Sequence, residues 1–348
     1  MNLHPNCPNR NAFPHAVELD GYRGVAILLV IAFHVGWFRY GWVGVPMFFT
    51  LSGFLITKIL RRAKDRPFGD HYLDFFKRRA RRLVPLYLLY LAVLAAVAGR
   101  NISPAHWIGL LTGTMNFASI WDPGPALGYA HFWSLAIEWQ FYAVWPFAVY
   151  FLKLQGLQTL GVALVGLAPG LRAASQIALQ AASLEGPAGE EFFYLVPTSH
   201  CDSLAFGALL AVGLPDDWRI WAQGAFGLLL STGIALFATR AIWTLSLVAC
   251  ASFALMMAAQ RTRLKAVFAH PALTYTGTIS YSLYVWHLGI SELVAHWSPL
   301  DGTLRAKIVE GSAVFALSYP VAALSWRYWE RRFWHPRPSP IPALPTVS

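Results

Sequence analysis

The chain has 348 residues, of which 56% are hydrophobic and only 13% are charged, and its formal net charge is +10. Charged residues make up about a quarter of a typical soluble domain, so this composition excludes an ordinary soluble fold and favours a polytopic membrane protein. The positive residues cluster in short segments beside apolar runs, which is the pattern of cytoplasmic loops rather than of a nucleic-acid-binding surface.

Apolar runs near twenty residues long recur along the chain and predict ten membrane-spanning helices. They follow a short polar tail, residues 1–18, that lacks the pattern of a cleaved signal peptide. The predicted spans are approximately Tyr22–Phe38, Val43–Leu60, Leu83–Ala98, Phe132–Leu152, Leu157–Pro169, Phe192–Gly213, Trp218–Phe237, Ala241–Ala259, Ile279–His296 and Ala306–Trp329. The expected fold class is therefore all-α, a polytopic membrane helical bundle of about ten transmembrane helices.

One further apolar stretch, residues 104–118, is short and amphipathic, and we interpret it as a re-entrant or interfacial segment. The basic segments at 61–82, 261–265 and 327–338 should all be cytoplasmic. This requires an even number of crossings, which ten spans satisfy and eleven do not. The sequence therefore predicts a multi-pass protein of the inner (plasma) membrane with both termini in the cytoplasm.

The first predicted span carries two ionisable residues, Arg23 and His34, within an apolar run. On an α-helix they project from one face, separated by roughly 20° around the axis and roughly 16 Å along it. Ionisable groups are costly inside a membrane and mark functional sites there, and a neutral imidazole can act as a general base. The alternative is that His34 packs in the core while Arg23 reaches lipid phosphates.

Asp20 precedes Arg23 by three residues, so the two side chains can meet on one helix face. An ion pair there would fix the guanidinium. The alternative is an ordinary carboxylate favoured by the helix N-terminus.

The basic segment DFFKRRARRLVP pairs Arg78 with Arg81 and Arg79 with Arg82, because residues three apart share a helix face. Arginine pairs can bind phosphates bidentately, so we expect these four residues to bind an anionic ligand. Binding of anionic lipid headgroups is the alternative.

The segment HFWSLAIEWQFYAVWP, residues 131–146, places Glu138 on the same helix face as Ser134. No basic residue lies near Glu138 in sequence, so its partner must come from another helix, in a catalytic site or in a structural ion pair. Trp133, Trp139 and Trp145 are more typical of packing or of the membrane interface than of substrate stacking.

Two later segments add polar side chains to apolar surroundings. In TISYSLYVWH, residues 278–287, the spacing aligns Ser280, Tyr284 and His287 on one stripe. His200 and Asp202 lie at the start of another predicted span. Core hydrogen bonding explains each of them singly, but together they indicate an aqueous or substrate-filled cavity.

The three cysteines, Cys7, Cys201 and Cys250, lie far apart and show no CxxC spacing. Neither a disulfide framework nor a zinc site is indicated. We expect free thiols and no metal.

Together these segments resemble the acyltransferase-3 family of integral membrane acyltransferases. The similarity covers nearly the whole chain, in LDGYRGVAILLVIAFH, VPMFFTLSGFLIT, FFKRRARRLVPLY, HFWSLAIEWQFY, TGTISYSLYVWH and SWRYWERRF. An arginine and a histidine separated by ten residues, as at Arg23 and His34, are the family's hallmark. The resemblance implies transfer of an acyl group, usually acetyl from acetyl-coenzyme A as co-substrate, to a hydroxyl of a glycan, glycolipid or small molecule.

The resemblance also implies roles for individual residues. His34 would be the catalytic histidine, Arg23 would contact the acyl donor or position the site, and Glu138 matches the family's acidic residue. The cofactor-binding arginines, expected near coenzyme A, are Arg78, Arg79, Arg81 and Arg82, together with Arg23. We further expect substrate contacts from Asp20, Trp133, Ser134, Asp202, Tyr284 and His287. Cys201 and Trp139 depart from the family pattern, which often has an arginine and an acidic residue there.

We expect a single transmembrane acyltransferase domain over residues 1–335 and a disordered proline-rich tail over residues 336–348, without the soluble domain of the family's larger members. The expected partners are the lipid bilayer and the acceptor, with the oligomeric state open. Two other functions fit buried His, Arg and Glu residues: a secondary transporter or channel, and a non-catalytic membrane scaffold. Transporters often contain two similar halves, and no such repeat is visible here.

Overall fold

The computed structural model describes residues 16–124, 128–184, 191–217, 219–220, 226, 228, 240–297 and 303–334. Every regular element among these residues is helical. The helices are α1 (Val17–His34), α2 (Gly44–Arg62), α3 (Phe68–Ala98), α4 (Pro104–Thr112), α5 (Met115–Trp121), α6 (Phe132–Phe151), α7 (Leu154–Ala181), α8 (Glu191–Tyr194), α9 (Cys201–Val212), α10 (Arg240–Arg261), α11 (Leu264–Phe268), α12 (Pro271–Thr278), α13 (Ser280–Trp297), α14 (Leu304–Ser325) and α15 (Arg331–Trp334). A π-helical turn, Trp326–Glu330, joins α14 to α15.

Several of these helices have the length and composition of membrane spans. Those that could cross a bilayer are Gly41–Arg62, Phe68–Asn101, Leu154–Ala181, Ile242–Arg261 and Arg305–Phe333. They indicate a multi-pass membrane protein and confirm the all-α class. The predicted count of ten spans stays a prediction. The predicted span Trp218–Phe237 lies almost entirely outside the described residues. The predicted tail, residues 336–348, lies wholly outside them.

Two predicted boundaries differ from the structure. The span predicted to end at Pro169 continues through this proline to Ala181, because prolines are tolerated within transmembrane helices when neighbouring groups satisfy the freed backbone. The span predicted at Phe192–Gly213 is broken: a short helix and a 3₁₀ turn, Pro197–His200, precede α9, which has only 12 residues.

The sequence predicts that residues 104–118 do not span the membrane, and the structure has no spanning helix there. They belong to α4, of nine residues, and α5, of seven, and Gly113 separates the two helices in the left-handed conformation, with φ 71°. At 1.5 Å per residue neither helix can cross a bilayer.

Helices α2 and α9 meet backbone to backbone through two glycines. A Cβ atom added to Gly53 would lie 2.0 Å from the carbonyl oxygen of Leu204, and one added to Gly207 would lie 1.9 Å from that of Thr50. Small residues allow such close helix contacts in membranes. The contact leaves no room for a side chain at either position.

A similar contact fixes the N-terminal half of α1. A Cβ atom added to Gly277 of α12 would lie 1.8 Å from the carbonyl oxygen of Asp20, and one added to Gly24 would lie 2.2 Å from that of Leu273. The helix that carries Arg23 and His34 is therefore held tightly against α12, and it also contacts α2, α10, α11 and α13.

Helix α3 is anchored just after its arginine-rich part. The helix continues through Pro85. The hydroxyl of Tyr281 donates to the carbonyl of Leu83 at 2.7 Å, and Nε1 of Trp329 donates to the carbonyl of Pro85 at 3.0 Å. These bonds tie the arginine-rich half of α3 to α13 and to the π-helical turn.

Candidate active site

Helix α1 presents Arg23 near one end and His34 at the other. One guanidinium nitrogen of Arg23 lies 3.2 Å from a carboxylate oxygen of Asp20, and each side chain is 15% exposed. The predicted ion pair is therefore present. It orients the guanidinium along the helix surface, towards a cavity lined by α2, α3, α6 and α13.

This first cavity has a volume of about 110 Å³. Its polar lining includes three arginines and a carboxylate, Arg23, Arg79, Arg82 and Glu138. The hydroxyls of Ser52 and Tyr142 both donate to the carboxylate of Glu138, that of Tyr142 at 3.2 Å. Glu138 thus finds its partners on α2 and on its own helix, and its charge lies within the field of Arg23 and Arg79.

The two arginine pairs of α3 face in different directions. Arg79 and Arg82 line the first cavity, and both are partly buried. Arg78 and Arg81 are exposed and do not line this cavity. The structure therefore confirms that residues three apart share a face, and it separates an inward pair from an outward pair.

A second cavity of about 920 Å³ lies at the His34 end of α1. His34 lines it together with aromatic and polar side chains, among them Arg39, Trp42, Trp133 and Tyr194. Val45, Ser134 and Tyr284 line both cavities. The arginine-lined cavity and the His34-lined cavity are thus neighbours that share a wall.

His34 is the point where α1 meets α13. Its Nδ1 atom lies 2.9 Å from the carbonyl oxygen of Val30 and 3.3 Å from Nε2 of His287, and the two imidazole rings are 5.0 Å apart at their centroids. The predicted stripe of Ser280, Tyr284 and His287 therefore faces the site: the first two residues line the first cavity and His287 contacts His34.

The shared wall contains a pair of hydroxyls. The oxygens of Ser134 and Tyr284 are 2.7 Å apart, and the hydroxyl of Tyr284 also donates to the carbonyl of His131. Because a phenol has one proton to donate, Ser134 is the donor in the first bond. Trp133 lines the second cavity, whereas Trp139 packs in the core and Trp145 donates to Thr57 at 2.7 Å.

Asp202 lies outside both cavities. Its carboxylate is 2.6 Å from a guanidinium nitrogen of Arg172, and both side chains are 1% exposed. Ser246 donates to the same carboxylate oxygen at 3.2 Å. The partner of Asp202 is thus Arg172 of α7, whereas Cys201 directly precedes it in the sequence.

Sequence reasoning assigned no role to His131, the residue before α6. It is 3% exposed, it lines the second cavity, and its ring lies 5.0 Å from that of His287. Neither of its ring nitrogens has a hydrogen-bond partner among the described residues. Its position three residues before Ser134 was a usable signal, because one turn of helix brings the two residues to the same face.

The described cysteines, Cys201 and Cys250, are free thiols, and Cys7 lies outside the described residues. Within the described residues, no group of three or more His, Cys, Asp or Glu side chains is arranged to hold a metal ion.

Comparison with known proteins gives one family. A profile described as an acyltransferase domain (Acyl_transf_3) matches residues 17–327. The putative peptidoglycan O-acetyltransferase YrhL of Bacillus subtilis is 27% identical, over 90% of this chain and 56% of its own. The peptidoglycan O-acetyltransferase OatA of Listeria monocytogenes is 27% identical, over 90% and 55%. A putative O-acetyltransferase of Staphylococcus aureus is 26% identical, over 90% and 56%.

The chain therefore spans about half the length of the curated relatives it matches. No solved structure is significantly similar to it.

Proposed function

The chain belongs to the acyltransferase-3 family, and from that premise we propose that it is a membrane O-acetyltransferase that moves an acetyl group from acetyl-coenzyme A to a hydroxyl of a glycan. One observation carries the proposal. An arginine-lined cavity and a His34-lined cavity lie at opposite ends of α1 and share a wall at Val45, Ser134 and Tyr284.

The arginine-lined cavity suits an anionic donor. Arg23, Arg79 and Arg82 converge there around a single carboxylate, Glu138. Arginine binds phosphate groups through bidentate hydrogen bonds, and coenzyme A carries several of them. We assign its phosphates to the mouth of this cavity and its thioester end to the shared wall.

The larger cavity suits a glycan acceptor. It offers aromatic faces from Trp42, Trp133 and Tyr194 together with the charged side chain of Arg39. Aromatic rings that also carry a polar group are suited to ligands with both apolar faces and hydroxyls. The names of the relatives, which are peptidoglycan O-acetyltransferases, support a cell-wall glycan as the acceptor.

His34 is the group that we assign to chemistry. In direct transfer, its imidazole removes the proton from the acceptor hydroxyl, the oxygen attacks the thioester carbonyl carbon, and the carbon–sulfur bond breaks. The proton then passes from His34 to the departing thiolate. In a two-step route Nε2 of His34 attacks the thioester carbon and coenzyme A leaves as its thiolate; the acceptor oxygen then attacks the acetyl carbon and displaces His34, and the hydroxyl proton passes to the thiolate. A thioester is already activated, so neither route requires a metal.

We also propose the topology that the basic segments favour. The protein would lie in the inner membrane, with the arginine-rich start of α3 facing the cytoplasm. Both termini would lie on the same side, with about ten spans between them. Coenzyme A is cytosolic, so this orientation places the arginine-lined cavity where the donor is found.

The test is transfer from radiolabelled acetyl-coenzyme A to a soluble cell-wall glycan fragment by purified protein in lipid nanodiscs. Wild type should acetylate the fragment and His34→Ala should not, whereas His296→Ala, an exposed residue of α13 outside both cavities, should behave as wild type. Transfer retained by His34→Ala would overturn the assigned role. Absence of both transfer and thermal stabilisation by millimolar coenzyme A would favour a transporter.

A further inference from the structure

We propose that His287 is a positioning residue that holds the imidazole of His34 against a second helix and, together with the carbonyl of Val30, keeps its hydrogen on Nδ1, so that the Nε2 lone pair of His34 is the one available to a substrate. This rests on the proposed function, in which His34 is the base or nucleophile. The contact between α1 and α13 carries the inference, because both imidazoles have hydrogen-bond partners that determine where their protons lie.

The proton of His287 is fixed by its own helix. Its Nδ1 atom lies 3.1 Å from the carbonyl oxygen of Leu283 and 2.8 Å from that of Tyr284. Carbonyl oxygens only accept hydrogen bonds, so Nδ1 of His287 carries the hydrogen. In a neutral ring the Nε2 atom is then a pure acceptor, and this is the atom that faces His34 at 3.3 Å.

The same reasoning applies one step further to His34. Both neighbours of its Nδ1 atom are acceptors, the carbonyl of Val30 at 2.9 Å and Nε2 of His287 at 3.3 Å. Nδ1 of His34 therefore carries a hydrogen that the two acceptors share. The remaining nitrogen, Nε2, keeps its lone pair, and it is the atom that can take a proton or an acetyl group in the second cavity.

Val30 alone would not hold the ring in place relative to the rest of the site. Its carbonyl belongs to α1 and moves with His34. His287 belongs to α13, is 1% exposed, and its ring lies between those of His34 and His131, at 5.0 Å from each. It therefore orients the imidazole against a second helix. When His34 becomes positively charged, its bond to His287 strengthens, because a charged donor makes the stronger hydrogen bond.

Three substitutions separate this role from packing. In His287→Gln the side-chain amide reaches the position of Nε2 and can still accept from His34. In His287→Asn the amide can satisfy the carbonyls of Leu283 and Tyr284 but is too short to reach His34, and His287→Phe keeps the ring without nitrogen. We expect His287→Gln to keep kcat within about threefold of wild type, while the other two lower kcat at least about tenfold.

The KM for acetyl-coenzyme A should change less than about threefold in all three variants, because the arginine-lined cavity is untouched. Loss of kcat in His287→Gln equal to that in His287→Phe would overturn the proposal, and so would wild-type kcat in His287→Asn and His287→Phe. If wild type is active and His34→Ala is not, such a result concerns His287 alone and leaves the proposed function standing.

A second measurement, nuclear magnetic resonance of the histidine rings, does not depend on the enzymatic activity of any variant. Protein labelled with ¹⁵N-histidine should show His34 as a neutral ring protonated at Nδ1, with its signals identified by their loss in His34→Gln. In His287→Phe only the carbonyl of Val30 still accepts from Nδ1 of His34, so these signals should shift and broaden as the ring loses its contact with α13. A wild-type His34 protonated at Nε2 would overturn the proposal even if the protein transferred no acetyl group.

Discussion

The hydroxyl oxygens of Ser134 and Tyr284 lie 2.7 Å apart in the wall that separates the two cavities. Ser134 donates to Tyr284, which in turn donates to the carbonyl of His131. Both residues line both cavities. Under the proposed function, an acetyl group delivered from the arginine-lined cavity to His34 would pass beside this pair.

Replacing Tyr284 by Phe removes the middle member of that chain. The hydroxyl of Ser134 loses its acceptor, at a cost of about 1–3 kcal/mol if it is left unsatisfied, whereas the carbonyl of His131 still accepts from the backbone N–H of Ser134. We expect a lower midpoint of thermal unfolding and a kcat reduced about tenfold with little change in the KM for acetyl-coenzyme A. Tyr275→Phe, at a 50% exposed tyrosine of α12, is the control. Equal effects of the two variants would contradict the prediction.

The arginine pairs of α3 provide a matched comparison. Arg79→Ala and Arg82→Ala each remove a charge from the first cavity and should raise the KM for acetyl-coenzyme A at least about tenfold, since a charge-assisted bond contributes about 1.5–3 kcal/mol. Arg78→Ala and Arg81→Ala alter exposed side chains of the same helix and should change the KM less than about twofold. Steady-state kinetics of the four variants decides this, and comparable losses in both pairs would argue against donor binding in the cavity.

The close contact between α2 and α9 predicts that adding a single methyl group at Gly207 lowers the stability of the protein. Gly207→Ala would place a Cβ atom 1.9 Å from the carbonyl oxygen of Thr50, so the helices must separate. We expect a loss of about 1–3 kcal/mol, seen as a lower unfolding midpoint in detergent. Gly69→Ala, where a Cβ atom would meet nothing within 4 Å, should leave the midpoint unchanged or raise it slightly. A Gly207→Ala protein as stable as Gly69→Ala would refute the close contact.

The buried pair of Arg172 and Asp202 should matter for stability and not for chemistry. Arg172→Met leaves an uncompensated carboxylate in the interior, which costs about 3–5 kcal/mol. The double variant Arg172→Met/Asp202→Leu should recover much of this loss and should transfer acetyl groups at close to the wild-type rate per folded molecule. Thermal unfolding and the transfer assay measure the two effects. A folded double variant without activity would instead support the substrate contact predicted for Asp202 from the sequence.

Local spacing predicted the parts of the site that lie on single helices. Arg23 and His34 both lie on α1, and a separation of about three turns places them on one face; the pairing of Asp20 with Arg23 follows from three-residue spacing. The same rule grouped the four arginines correctly into pairs. It could not say which pair faces the interior, because that depends on how α3 packs against α6 and α13.

The spacing of residues along the chain does not predict contacts between distant segments. Glu138 takes a hydrogen bond from Ser52, 86 residues earlier, and the ion-pair partner of Asp202 is Arg172 of a different helix. The contacts of His131 depend likewise on α13, which carries both Tyr284 and His287. Each of these partners is set by tertiary packing, which a single sequence does not display.

The glycine contact between α2 and α9 also limits the relative motion of these two helices. With no side chains between the two backbones, α2 cannot rotate or slide without one of the helices changing shape. The wall of the first cavity that Ser52 and Leu55 of α2 form is thus fixed in position. Widening of this cavity for a bulky ligand then falls to the walls formed by α3, α6 and α13, and a displacement of α13 would also draw His287 away from His34.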